Sequence, residues 1–381
     1  MNLAERVRAV PPSGIRELFE IADRRDDVVS LGVGEPDFAA PWPARKAAMD
    51  ALEAGRTSYT ANRGMATLRE AIADHVADRY DLTYDPAEEL LVTAGASEAI
   101  DLAFRALVDP GDVVALAQPS YLSYEPGVTF AGGEILRIRT READRFQLTR
   151  ERLAAAGADG AEVLVLCYPN NPTGAVMTDD RLAEVAAFAR EHDLTVLSDE
   201  IYADLTYEGE HTSIATLPGM RERTVVFNGF SKAYAMTGLR LGYAMGPPEA
   251  IRGMNRIHQY SMLSAPTTAQ HAALEALRSC DDDVAEMRAA YDRRRKFVLS
   301  RFEEMGLGAF EATGAFYVFP EIPGDDAGQF AQDLLDEQGV AVVPGDVFGA
   351  GGEGHLRVSY ATGMDDLREA TDRIEAFLAT R

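Results

Sequence analysis

Lysine is almost missing from this chain. Of 37 lysine and arginine residues, 34 are arginine, and lysine stands only at Lys46, Lys232 and Lys296. Arginine replaces lysine as a charge, but a guanidinium neither loses its proton nor condenses with a carbonyl. A retained lysine away from a solvated face therefore points to amine chemistry. Cysteine is equally scarce: Cys167 and Cys280 give neither a disulfide framework nor metal-ligand spacing. No apolar run reaches 18 residues, which excludes a membrane-spanning helix. The opening MNLAERVRAVPPSG lacks the apolar stretch of a secretory signal. These absences predict a cytoplasmic protein with reduced thiols and no membrane partner. Basic charge is also in deficit, at 37 residues against 62 acidic ones, a net −25. Such a chain repels phosphate backbones, so nucleic acid is excluded as a partner. The acid is dispersed along the whole chain rather than gathered in one patch, which suits solubility in concentrated salt and predicts a salt-adapted (halophilic) protein. Finally, no G-x-G-x-x-G lies between a first strand and helix, so nothing marks a dinucleotide fold.

What is present is a strand-and-helix alternation. Short Val/Leu-rich runs occur at ELLVTAGA (89–96), VVALAQP (113–119), EVLVLCYP (162–169), LTVLSDE (194–200) and TVVFNGF (224–230). Continuous apolar runs of this length suit strands buried on both faces. Helix-period segments such as DDRLAEVAAFAREH (179–192) lie between them, so the fold class is α/β with a mostly parallel sheet sandwiched by helices. After about residue 282 the pattern changes to a charged helix, GAFYVFP (314–320), an amphipathic helix, VAVVPG and LRVSYA. That describes a smaller α+β domain. The expected division is a large domain over 45–282 and a small one from 1–44 with 283–381, with PPSGIRELFEIA (11–22) as a first helix.

In open α/β sheets ligands bind beyond the carboxyl ends of the strands. Just past those ends stand Gly95-Ala96-Ser97, Tyr121, Asn171, Asp199 with Tyr202, and Ser231-Lys232. Small residues opening a helix make an anion site, to which Ser231 and Arg240 add a hydroxyl and a charge. Lys232 follows a buried strand in a glycine-rich turn, where an amine forms a Schiff base. Asp199 offers a carboxylate to a protonated ring nitrogen, and Tyr121 a face to a flat ring. Phosphate, aromatic ring and aldehyde together describe pyridoxal 5′-phosphate (PLP).

Read end to end, the chain resembles the class I, fold-type I PLP-dependent aminotransferases, and within them the archaeal aspartate and aromatic enzymes. The resemblance is carried by SLGVGEPDF (30–38), SYTANRGMATLREAIA (58–73), VTAGASEAI (92–100), PSYLSY (119–124), YPNNPTG (168–174), SDEIYADL (198–205), GFSKAYAMTGLRLGY (229–243), GAFYVFP and HLRVSYA (355–361). It implies a seven-stranded-type sheet in the large domain. Lys232 would hold PLP and carry the proton, and Asp199 would pair with the ring nitrogen. Asn171 and Tyr202 would bond the ring oxygen, and Tyr121 would stack on the ring. Gly95, Ala96, Ser97, Ser231 and Arg240 would bind the phosphate, with Tyr59 reaching it from the partner of a homodimer with shared active sites. Arg357 would clamp the substrate carboxylate, with Gly34 beside it and GEPDF closing over substrate.

The implied reaction is a ping-pong transfer of an amino group from an L-amino acid, aspartate or aromatic, to the 2-oxo acid 2-oxoglutarate. Relatives often carry serine at Gly229 and tryptophan at Leu239. Some bacterial aspartate enzymes carry lysine at Ser97, which weighs against a reading restricted to aspartate; Arg63 is a candidate reader of a second carboxylate, and Ile15 and Tyr59 are candidate pocket walls. A carbon–sulfur β-lyase of the same fold is the main alternative. An α-decarboxylase, a PLP-binding regulator and a cofactor-free Schiff-base enzyme stand further off.

Overall fold

The computed structural model describes residues 2–12, 25, 27–324 and 326–381. The expected first helix over 11–22, and with it Ile15, falls largely or wholly outside the described residues. Strand β1 (Val29–Ser30) stands apart from the main sheet. Seven strands build that sheet: β2 (Leu90–Thr93), β3 (Val113–Gln118), β4 (Glu134–Arg139), β5 (Val163–Cys167), β6 (Thr195–Asp199), β7 (Thr224–Gly229) and β8 (Gly242–Met245). Their order is β2-β8-β7-β6-β5-β3-β4, parallel throughout except for β8, which runs antiparallel to both neighbours. The five apolar runs of the sequence are all strands here. β4 and β8 are the additions. EILRIR in β4 is a half-exposed edge strand whose charged residues break the apolar run, and GYAM in β8 is too short to stand out.

Helices cover both faces. In chain order they include α1 (Trp42–Glu53), α2 (Ala96–Leu107), α3 (Asp179–Glu191), α4 (Pro248–Ser261), α5 (Thr267–Ser279), α6 (Asp281–Glu304) and α7 (Met364–Leu378). One core joins α2 and α4 to a sheet face through Ile100, Phe104, Ile251 and Met254, set against Leu116, Val165 and Phe227. A larger core fills the other face and continues under α6 and α7 through Tyr291, Phe302 and Phe377. Beyond the main sheet, β9 (Tyr317–Val318), β10 (Val340–Ala341), β11 (Val343–Pro344) and β12 (Leu356–Ser359) form two small sheets. One is antiparallel, β11-β12-β9, and the other pairs β1 with β10 in parallel. That last pairing ties the N-terminal residues to the C-terminal part of the chain. Among the described residues no helix is long and apolar enough to cross a membrane.

The parallel strands deliver their carboxyl ends to one edge. Cys167 pairs with Asp199 and Asp199 with Phe227 across β5, β6 and β7. Antiparallel β8 begins at the same edge, where Gly242 lies between Thr93 and Gly229. A Cβ on Gly242 would meet the Ala96 backbone nitrogen at 2.4 Å, so glycine is what allows the start of α2 to sit tightly on the strand ends.

Candidate active site

A cavity of about 380 Å³ opens at this edge, a size suited to a small-molecule site. The three lysines separate clearly there. Lys46 and Lys296 lie on helix surfaces, paired with Asp50 and Asp292 one turn away. Lys232 lines the cavity with no carboxylate at ion-pair distance among the described residues; its Nζ donates to the Gly34 carbonyl at 2.7 Å. Burial, then the nearby Arg357 charge, pull its pKa from 10.5 down to about 8. At neutral pH it therefore holds on the order of three hundred times more free amine than an ordinary lysine.

Asp199 ends β6 on the cavity wall and is buried. Tyr124 Oη donates to its Oδ2 at 2.6 Å and the Ile201 N–H to its Oδ1 at 3.2 Å. Burial still pushes its pKa from 3.8 up to about 6, because those bonds only partly offset the loss of water. A buried carboxylate on a cavity wall, with no cation at ion-pair distance among the described residues, is suited to one brought by a ligand. Tyr121 lines the same cavity and meets Tyr124 edge-on at 5.6 Å.

The expected anion site lies at the start of α2. Gly95 is its N-cap at φ +82°, and Ala96 and Ser97 line the cavity, their N–H groups without partners among the described residues. The Arg240 guanidinium packs against Gly95, so closely that a Cβ there would lie 2.8 Å from its Nη2. Arg240 makes no ion pair among the described residues and donates only to the Thr237 carbonyl at 2.9 Å. Ser231 completes this wall. Unpartnered N–H groups, a positive helix end and an uncommitted guanidinium converge on one point, which is what a phosphate requires.

The opposite wall comes from outside the main sheet. Arg357 on β12 is buried, with its guanidinium 4.7 Å from the Tyr317 ring and 4.9 Å from the Phe348 ring. Nη1 donates to Asn171 Oδ1 at 2.9 Å and Nη2 to the Gly32 carbonyl at 2.6 Å, while Nε is buried without a partner among the described residues. Burial pulls its pKa below the ordinary arginine value. Gly34 is pressed against Tyr317: a Cβ there would lie 2.2 Å from the phenol oxygen. Tyr202 Oη shares a 2.9 Å hydrogen bond with Tyr317 Oη. Glu35 and Thr237, hydrogen-bonded to each other, link the GEPDF segment to the loop that carries Lys232.

Two anticipated residues are not brought to this cavity. Tyr59 is 79% exposed and lies off it. Arg63 is committed to the Ala87 carbonyl and to Glu88, which removes it as a reader of a second carboxylate in this chain's own cavity. Sequence reasoning missed Tyr124, Tyr317 and Phe348. The first two sit inside the quoted motifs PSYLSY and GAFYVFP, but their partners, Asp199 and Tyr202, are 75 and 115 residues away.

The residues present fit PLP: an amine with a lowered pKa, a buried carboxylate lacking a cation, and an anion cup at a helix start. The comparisons with known proteins agree. The model of the aminotransferase class I and II family matches residues 26–374. The chain is 48% identical to the putative aminotransferase YugH of Bacillus subtilis, over 99% of this chain and 98% of the other. It is 43% identical to an aspartate aminotransferase of Pyrococcus abyssi, with the same coverage. The crystal structure of the aromatic aminotransferase from Pyrococcus horikoshii superposes with a TM-score of 0.91 at 42% identity, covering 97% of this chain and 99% of that one. The chain belongs to the class I and II aminotransferase family, and it is a PLP-dependent transaminase.

Proposed function

We propose that this enzyme passes an amino group from aspartate or an aromatic L-amino acid to 2-oxoglutarate, with the cavity residues in the following roles. The observation that carries the reading is the Lys232 amine, held between a buried carboxylate without a cation and a buried guanidinium without a carboxylate. Bound there, PLP supplies an electron sink that acidifies the substrate Cα–H bond and carries the amino group between substrates. Asp199 would hold the ring nitrogen, and its own high proton affinity favours keeping a proton on the pair. Asn171 and Tyr202 would bond the ring oxygen; Asn171 Oδ1 is already held by Arg357, which leaves the amide Nδ2 to donate. Tyr121 would cover the ring face. Gly95, Ala96, Ser97, Ser231 and Arg240 would take the phosphate. Lys232 Nζ, part of it free base at neutral pH, accepts the Cα proton and delivers it on the same face. Arg357 orients the substrate by its α-carboxylate, and its stacked, buried fork is ready-made for that planar group. Gly34 leaves room beside it, and the Glu35–Thr237 bond closes the segment over the site.

The same proposal includes a homodimer with shared sites. Trp42, Met49 and Leu52 on α1, together with Tyr59, Tyr260 and Met262, are large apolar side chains left exposed, and a second copy would bury them and carry Tyr59 to the neighbouring phosphate. The two-domain division, 45–282 against 1–44 with 283–381, a cytoplasmic location and adaptation to concentrated salt belong to it as well. The experiment is a visible spectrum of the purified holoenzyme in high salt, with amino acids added singly. Aspartate or an aromatic donor is expected to bleach the yellow band, and 2-oxoglutarate to restore it. Bleaching by neither donor class would refute the substrate assignment. Mixing Tyr59→Phe with Lys232→Ala chains tests the sharing of sites: with shared sites the mixed dimer has one site with both lesions and one with neither, so its active site holds PLP as tightly as the parent, whereas with unshared sites it holds PLP as the Tyr59→Phe homodimer does.

A further inference from the structure

Glu98 stands at the third position of α2, in the turn where the phosphate would bind. A carboxylate there competes with an anion for the same positive helix end. Its oxygens are instead taken up by partners away from the cavity, which Glu98 does not line. Oε2 accepts the Ala94 N–H at 2.6 Å, and Oε1 lies 2.7 Å from Nδ1 of His258 on α4. His258 has no exposed surface, and its Nε2 is buried without a partner. Around it α2 and α4 pack through apolar side chains, where a leucine would leave no ring nitrogen unmet but would take a partner from Glu98. A histidine with one nitrogen unmet is therefore kept for what the other nitrogen does. Nδ1–H fixes the Glu98 carboxylate, and Glu98 fixes the backbone just before the Gly95 N-cap.

We propose that Glu98 and His258 are positioning residues for the cofactor phosphate. Together they lock the 94–97 backbone so that the Ala96 and Ser97 N–H groups converge on the anion, and they turn the Glu98 charge away from it. Neither residue touches the cofactor. The same histidine anchors the loop after α4: its carbonyl accepts the N–H groups of Met262 and Leu263, at 2.9 Å each. The inference rests on reading the start of α2 as the phosphate site, and the test separates the two.

The measurement is the rate of PLP loss from the full-length holoenzyme after dilution, followed by absorbance, with the phosphorus NMR shift of the bound phosphate alongside. Glu98→Ala and His258→Leu are expected to release PLP at least about ten times faster and to move the phosphorus signal. His258→Asn, whose amide nitrogen takes the place of Nδ1, is expected to stay within about twofold of the parent. Release at the parental rate from both Glu98→Ala and His258→Leu would overturn the proposal. If His258→Leu does not fold, Asn against Gln at position 258 decides the matter. The Gln amide extends past Nδ1, so faster release from Gln alone supports the proposal and equal rates overturn it. Arg240→Leu is the control on the underlying reading: parental release and an unmoved phosphorus signal from that variant would mean that the phosphate does not sit at the start of α2.

Discussion

Two arginines are buried almost equally, yet the structure treats them in opposite ways. Arg295, on α6, is 1% exposed and fully committed: Nη2 reaches Glu208 at 2.9 Å, Nε reaches Asp292 at 3.0 Å and Nη1 donates to the Ala312 carbonyl at 2.8 Å. Arg357 is 5% exposed and, among the described residues, meets an amide, a carbonyl and two rings but no carboxylate. Burial pulls both pKa values down. At Arg295 the bonds to Glu208 and Asp292 outweigh it, and at Arg357 nothing does. A buried charge with its counter-charge in the chain belongs to the fold. One without a counter-charge is a cost to the folded protein that a ligand removes. The same contrast separates Lys232 from Lys46 and Lys296.

The lysines give the largest expected effect. Lys232→Ala should lower transamination at least about ten-thousandfold, since in the proposed reading the amine would be both the attachment point and the proton carrier. Lys46→Arg and Lys296→Arg should stay within about twofold, because each keeps its i,i+4 ion pair. Steady-state rates on the three variants check this, and a comparable loss in either surface variant would end the distinction.

The arginine pair should split activity from stability. Arg357→Leu is expected to reduce kcat/KM for amino acids by about a hundred- to a thousandfold, the value of a lost bidentate carboxylate contact, while leaving the melting temperature unchanged or higher. Arg295→Leu should do the reverse. It strips a fixed partner from Glu208 and Asp292 and lowers stability by about 2–4 kcal/mol, with KM little changed. Kinetics and thermal melts on both variants decide; a destabilised Arg357→Leu with an unaltered KM would make Arg357 a structural residue.

Neighbouring carboxylates repeat the comparison. Glu200 is buried but saturated by Ser198 Oγ, Ser213 Oγ and His211. Among the described residues Asp199 has two hydrogen bonds and no cation at ion-pair distance. With a pKa near 6 against 3.8, its folded form binds a proton more tightly than the unfolded chain does. Folding of the PLP-free protein is therefore penalised as pH rises from about 4, and the penalty is complete above about 6, at roughly 2–3 kcal/mol. Asp199→Asn should thus melt higher than the parent without PLP at pH 7.5, with the advantage fading below pH 6. In saturating PLP the order should invert. Melting curves across pH test the sign, and an Asn variant that is less stable at pH 7.5 without PLP would contradict it.

These contrasts also explain what could be read from the sequence. Strands β2, β3, β5, β6 and β7 were legible because burial writes itself as unbroken Val and Leu, even in β2 at one end of the sheet, and the residues just past their ends gave Lys232, Asp199, Asn171 and the α2 start. β4 was not legible because it is half-exposed and keeps its charges, and β8 because it is only four residues long. Nor were the partners. Nothing local says that Tyr124 bonds Asp199, that Phe348 stacks on Arg357, or that Arg63 is spent on the Ala87 carbonyl. These partners stand 75, 9 and 24 residues apart, and what brings each pair together is the tertiary path of the chain, which one sequence does not carry.

The smallest expected effect probes the one side-chain bond that Asp199 does have. Tyr124→Phe removes a hydroxyl hydrogen bond to a buried carboxylate and leaves the Ile201 N–H alone on the other oxygen. A charge-assisted bond of this kind is worth about 1.5–3 kcal/mol to the ionised form, so its loss raises the proton affinity of Asp199 further. With PLP bound, the ring nitrogen still supplies a counter-charge, and kcat/KM should fall only about three- to tenfold. Without PLP, the acid-side gain in melting temperature should extend to higher pH than in the parent. If the hydroxyl acts through Asp199, Tyr124→Phe should leave that pH profile unchanged in an Asp199→Asn background; a profile that still shifts there would mean that the hydroxyl acts on some group other than Asp199.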